Sequence, residues 1–243
     1  MSATTAPEID PSKVKEFWER RGEKLGAVPF ESIANLEEKP DLLELKTRLE
    51  QECILPLLPL DQGATVLDLG AGVGQWTFRI APRVRRVVAV EYAKALVAIG
   101  RTEAQKREAR NVEFVVSPAE SFRTSEQFDA VFISGLFVYL TDEQAARLMA
   151  NLLRLVRPGG RLILRDGTSI LRQRHQITDR FSELLKAHYS AIYRTAEEYR
   201  ALFTAAGFAL EREGQVFPEG CELNKFRETR LCYYVFRPVP VAK

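Results

Sequence analysis

A short apolar run that empties into alternate glycines limits what this chain can become. Val66-Leu67-Asp68-Leu69 leads into Gly70-Ala71-Gly72-Val73-Gly74 and then into Gln75-Trp76. Glycine is needed where backbone turns sharply and must approach a ligand with no Cβ in the way. A helix that follows such a turn can aim free N–H groups at the ligand. A dinucleotide loop spaced Gly-x-Gly-x-x-Gly would place its third glycine at position 75, which is Gln75. The spacing here is Gly-x-Gly-x-Gly, with an acid, Asp68, two places before the first glycine.

The next apolar run supplies an independent sign. Val87-Val88-Ala89-Val90 ends in Glu91, 23 residues after Asp68. A carboxylate there can accept from both hydroxyls of a ribose, which points to a nucleoside ligand without choosing its class. Thr65–Leu69, Arg86–Glu91, Val112–Val116, Ala130–Ser134 and Arg161–Arg165 are apolar with little alternation, as parallel strands covered on both faces should be. Helical patterns at Gln75–Ala81, Ala93–Ala109 and Asp142–Leu155 lie between them and imply right-handed strand–helix–strand units. Before this core, Pro11–Arg21 and Pro40–Leu60 have helical spacing; after it come an expected helix around Asp179–His188, a helix at Thr195–Ala206 ending at Gly207, and strands Phe208–Val216 and Leu231–Arg237.

The acid–glycine loop resembles motif I of the class I, Rossmann-like S-adenosylmethionine-dependent methyltransferases. Asn111 to Glu120 is similar to the segment that brackets adenine in that family, Phe128 to Gly135 to its fourth strand, and Leu152 to Leu162 to its helix, Pro-Gly-Gly turn and fifth strand. The resemblance covers roughly residues 60–166. It implies an α/β fold: a seven-stranded, mostly parallel sheet with the last strand antiparallel, helices on both faces and an N-terminal helical cap. The expected organisation is a disordered tail over 1–10, the cap over 11–60, and a cofactor-binding domain over 61–238 with acceptor-site insertions at 167–194 and 217–230. The implied cofactor is S-adenosylmethionine, with S-adenosylhomocysteine as product. Its expected contacts are Asp68, Gly70, Ala71, Gly72, Gly74, Trp76, Glu91, Tyr92, Ala119, Glu120, Ser134 and Trp18.

Composition narrows the partners. A formal net charge of +2 gives no electrostatic footprint for nucleic acid, and no apolar run reaches the roughly 20 residues of a membrane span. Cys53, Cys221 and Cys232 are widely spaced and odd in number, which suits a reducing cytoplasm and neither a disulfide framework nor a zinc site. Ser134-Gly135-Leu136-Phe137 lacks the Pro-Pro-aromatic mark of amino-methylating DNA enzymes, no cysteine follows a proline, and Ser134 is no metal ligand. The expectation is therefore an enzyme for a small-molecule acceptor, metal-free, without nucleic acid or membrane, as a monomer or homodimer.

Transfer from a sulfonium is an in-line displacement, so holding donor and acceptor in near-attack geometry supplies much of the catalysis. A base is needed only if the acceptor must lose a proton. The candidates are Asp166 and Arg165, a charged pair at the end of a buried strand, with Tyr139 after the fourth strand and His175 in the long segment beyond the fifth. Tyr189 and Tyr193 are further lining candidates, and Phe17, Trp18 and Phe30 are candidates for a lid. Lys15 to Gly22, Pro29 to Leu36 and Leu164 to Thr168 are similar to azapteridine (toxoflavin-type) N-methyltransferases, which implies N-methylation of a flat nitrogen heterocycle in secondary metabolism. The alternatives are O-methylation of a small metabolite, a relative that binds cofactor without turnover, and a nucleotide-dependent oxidoreductase.

Overall fold

The computed structural model describes residues 9–23, 30, 39–182 and 187–239. Strands β1 (Thr65–Leu69), β2 (Arg86–Glu91) and β3 (Val112–Val116) coincide with three of the apolar runs. Helices α3 (Gln75–Ile80), α4 (Lys94–Lys106) and α5 (Asp142–Leu155) connect the parallel strands, while β4 is Phe128–Ser134 and β5 Val156–Ser169. The chain continues through β6 (His175–Ser182), β7 (Ala187–Tyr193), α6 (Ala196–Ala205), β8 (Phe208–Gln215) and β9 (Thr229–Pro238). Two helices precede the sheet, α1 (Pro11–Glu23) and α2 (Pro40–Ile54).

The main sheet has seven strands in the order β3-β2-β1-β4-β5-β9-β8. Strands β1 to β5 pair in parallel, and β9 is antiparallel to both neighbours. Strand order therefore reverses between β1 and β4, and connections diverge outside the carboxyl ends of these strands, which opens a crevice. Alternate residues feed two cores. Leu67, Leu69, Val131, Ile133, Leu162 and Leu164 meet α5 and α6, whereas Val66, Val87, Ala130, Phe132 and Ile163 meet α2 and α3. Each of the fully buried Leu, Ile, Val and Phe side chains contributes about 1.5–3 kcal/mol. Thr141 and Thr195 start α5 and α6 with capping boxes completed by Gln144 and Glu198.

Two expectations change. The helix expected around Asp179–His188 is instead part of an antiparallel hairpin, β6 with β7, in a separate two-stranded sheet. Its residues between Ser182 and Ala187 lie outside the described ones. At the other end of the chain, Ile9 falls in the segment read as a tail yet is buried with Val14 and Ile192. Asp10 accepts the Ser12 N–H at 2.9 Å beside it. No helix among the described residues is long and apolar enough to cross a membrane.

The cap is fastened to the start of α4. Glu19 of α1 accepts the N–H groups of Lys94 and Ala95 at the start of α4, at 3.1 and 3.2 Å. A Cβ on Gly22 would fall 2.5 Å from the Cβ of Ala95, so α1 sits against α4 at glycine distance. Gly22→Ala should destabilise the fold by about 1–3 kcal/mol through overpacking. Urea unfolding reads this directly. A more stable variant, following alanine's better helix propensity, would contradict the contact.

Candidate active site

A cavity of about 1110 Å³ opens at the carboxyl ends of β1, β4 and β5, under α1 and α2 and beside the hairpin. Its volume exceeds the usual range for one drug-sized ligand, so a nucleoside and a second small molecule fit together.

Glycine requirements at its floor differ by position. Gly70, Gly72 and Gly74 have φ of +77°, +58° and +91°. A Cβ on Gly72 would meet nothing within 4 Å, so this glycine leaves the cavity open where backbone approaches the ligand. Gly74, expected to touch the cofactor, is absent from the cavity lining; a Cβ there would strike Phe114 at 2.7 Å and Phe78 at 3.0 Å. Its glycine serves the left-handed start of α3 and core packing.

Two buried acids organise the loop. Glu91 Oε2 accepts the N–H of Gly72 at 3.0 Å and Oε1 that of Ala93 at 2.8 Å. Burial raises its pKa against the pull of these N–H groups. Each oxygen keeps a second acceptor position for a ribose hydroxyl. Asp68 accepts from Thr77 Oγ1 at 2.7 Å, and burial pushes it up to about 7, with the Thr77 bond opposing and the charge of Glu91 adding to the rise. Tyr92, Ala71, Ala119, Glu120, Ser134 and Trp18 line the same cavity. Glu120 is held by Gln144 Nε2 at 3.3 Å, and the Tyr92 hydroxyl donates to the Val14 carbonyl at 3.3 Å. Trp76 also lines it, but most of the indole packs into the core under α2, with the Arg165 and Arg79 guanidinium groups 5.7 and 4.9 Å from its ring.

Asp166, Arg165, His175 and Tyr139 all reach the cavity. Asp166 Oδ2 accepts the Phe137 N–H and Oδ1 the Gly167 N–H, both at 2.7 Å. Burial pushes its pKa up to about 7, against those two N–H groups and the charges of Arg165 and Arg194. Arg194, buried at the end of β7, donates to the carbonyls of Phe137 and Leu140 at 2.8 and 3.0 Å. The 3-10 turn Phe137–Tyr139 is thus clamped from both sides, and the clamp fixes Tyr139. The Tyr139 ring lies 5.2 Å from Trp18 and 6.1 Å from Tyr189, and burial raises its phenol well above the usual range. Tyr189 and Tyr193 hydrogen-bond hydroxyl to hydroxyl at 2.7 Å. His175 is half-buried with its ring 6.0 Å from that of Tyr193.

Arg165 is tied into the structure rather than left open to the crevice. It donates to Glu50 of α2 through Nη2 and to Ser134 Oγ through Nη1 at 3.0 Å. Glu50, Arg194 and Gln144 were missed from sequence. Only the Thr-x-x-Gln cap pattern could have pointed to Gln144.

Residues 66–160 match a family described as a methyltransferase domain. Phosphoethanolamine N-methyltransferase 1 of Triticum aestivum is 27% identical over 185 residues, 75% of this chain and 34% of that protein. Nodulation protein S of Rhizobium tropici is 33% identical over 110 residues, 44% of this chain and 45% of that one. The chain spans about a third to a half of the length of these relatives. The structure of Haemonchus contortus phosphoethanolamine N-methyltransferase 1 with phosphoethanolamine and S-adenosylhomocysteine superposes with a TM-score of 0.73 at 20% identity, over 96% of this chain and 49% of that one. The fold is that of the class I methyltransferases. The open Gly72 cradle and the acidic floor fit a nucleoside cofactor.

Asp68 and Asp166 bind protons in the folded state at pH values where the unfolded chain, with carboxyl groups near 3.9, has released them. Their contribution is therefore largest below about pH 4 and is lost as pH rises to about 7, then level. Urea unfolding of the ligand-free protein across this window should show less loss with pH in Asp68→Asn than in wild type. Equal slopes would contradict the burial of an ionisable Asp68.

Proposed function

We propose that the protein is an S-adenosylmethionine-dependent methyltransferase that N-methylates a small nitrogenous acceptor, with nitrogen heterocycles of secondary metabolism as the first class to test. The observation that carries this reading is one continuous cavity running from the Gly72–Glu91 loop to the tyrosines of the hairpin. The similarity to azapteridine enzymes supports a flat heterocyclic acceptor, and the names of the relatives support nitrogen as the methylated atom.

The bound cofactor supplies an electrophilic methyl group on a sulfonium. Glu91 holds the loop and offers its remaining acceptor positions to the ribose, while Glu120 stands by the adenine edge. Asp68, Glu91 and Asp166 favour positive charge nearby. The rings of Trp18, Tyr92 and Tyr139 offer faces to a cation and to a flat acceptor. Trp18 and α1 close the cavity and keep water from the reacting centre. Asp166 and Arg194 act through the turn they clamp, which presents the Tyr139 hydroxyl to the acceptor. His175 is the group placed to take a proton from an acceptor that must lose one. Arg165 braces Ser134 against α2.

Calorimetric titration with S-adenosylhomocysteine should show binding by wild type and at least about ten-fold weaker binding by Glu91→Ala, as removal of a charged acceptor costs about 1.5–3 kcal/mol. No binding by folded wild type, or binding of a nicotinamide cofactor in its place, would sink the reading. With an acceptor found by a mass-spectrometric screen, Tyr139→Phe should leave S-adenosylhomocysteine affinity unchanged. Turnover should drop by about ten-fold or more if the hydroxyl orients the acceptor. An unchanged rate removes Tyr139 from that role.

A further inference from the structure

The hairpin carries a bulge at the wall of the cavity. His175, Gln176 and Ile177 stand opposite Tyr193, Ile192 and Ala191, and pairing resumes with Arg180 opposite Tyr189, so β6 has one residue more than β7 across this stretch. Asp179 sits in the bulge with φ of +48°. Its carboxylate bonds Lys13 Nζ of α1 at 2.6 Å and lies 3.1 Å from His188 Nδ1. In an unbroken strand, residues 175, 177 and 179 would share a face. The extra residue instead places Arg180 on the face of His175 and Ile177; Arg180 lines the cavity, as do Phe181 and Ser182 after it, while Asp179 does not. Bulges beside sites commonly re-aim a side chain in this way.

Arg180 has no carboxylate partner among the described residues, and neither has Lys15, which lines the same cavity from α1. The Lys13–Asp179 ion pair fastens α1 to the hairpin, so the two cations stand on adjoining walls. Asp68, Glu91 and Glu120 line the cavity at the glycine loop, and the exposed Lys15 and Arg180 line it at the hairpin; Asp166, Glu228, Lys46, Arg165, Lys225 and Arg230 make up the rest of its charged lining. The first end suits a cationic sulfonium and the second an anion.

We propose that Arg180, assisted by Lys15, is an anion subsite that selects acceptors carrying a phosphate or carboxylate group. This rests on the reading of the hairpin end as the acceptor site. A guanidinium meets either group through paired N–H donors.

The test is the thermal midpoint of the full chain in rising inorganic phosphate, and separately in acetate, at constant ionic strength, with and without S-adenosylhomocysteine. Wild type, Arg180→Gln, Lys15→Gln and Arg172→Gln are compared; Arg172 is exposed and lies outside the cavity lining. The expected result is a saturating rise with phosphate in wild type and Arg172→Gln. The half-saturation concentration should move up by about ten-fold or more in Arg180→Gln and by less in Lys15→Gln. A parallel saturating response to acetate assigns the site to carboxylates as well; its absence assigns it to phosphate. No saturating rise, or the same rise in Arg180→Gln as in wild type, overturns the proposal as an adventitious ion only. The S-adenosylhomocysteine arm stands apart: no midpoint rise with that ligand overturns the cofactor reading, while the phosphate series still decides the subsite. A rise with it in Arg180→Gln shows that the variant is folded.

Discussion

Glu91 is buried at the end of β2, and its two oxygens take the N–H groups of Gly72 and Ala93. These bonds join the glycine loop to the start of α4, the two places from which backbone can face a nucleoside. A carboxylate so buried costs free energy to ionise, and the N–H groups offset much of that cost. Loop shape, helix start and ligand-facing acceptors therefore depend on one side chain. The left-handed φ values of Gly70 and Gly72 complete the geometry, because no other residue type takes them without strain.

Around this anchor the remaining walls are held by charged side chains that reach backbone groups, or one another, across distant parts of the chain. Asp166 and Arg194 hold the turn Phe137–Tyr139 by its N–H and carbonyl groups. Glu50 reaches from α2 to Arg165 at the end of β5, 115 residues away in sequence. Glu19 caps α4 from α1. Removing Glu50 would leave the buried Arg165 guanidinium without its carboxylate, at a cost of several kcal/mol. The cavity thus has a floor at the carboxyl ends of the strands, with the cap and the hairpin against it.

The sheet was legible in sequence because parallel strands covered on both faces leave unbroken apolar runs with sharp ends; β1, β2 and β3 begin and end where Thr65–Leu69, Arg86–Glu91 and Val112–Val116 do. The hairpin was not legible. Its bulge at Asp179 resets the alternation midway, so no single period marks β6, and the stretch around Asp179–His188 read as a helix. Gly74 looked like a ligand glycine because spacing alone cannot tell a cavity from Phe114. Glu50 and Arg194 sit in helix and strand-end contexts where charged residues are ordinarily solvated, and only the fold brings their partners near. Arg165 was visible as costly at a buried strand end, yet its partner on α2 was not.

A crystal structure of the protein with S-adenosylhomocysteine bound is the most direct test of Glu91 as the anchor of the site. The ribose hydroxyls should lie on the Glu91 carboxylate, the adenine edge by Glu120, and the sulfur should point toward Tyr139 and the hairpin. A ligand bound with its ribose away from Glu91, or with its sulfur turned from the hairpin, would contradict the cavity as a methyl-transfer site.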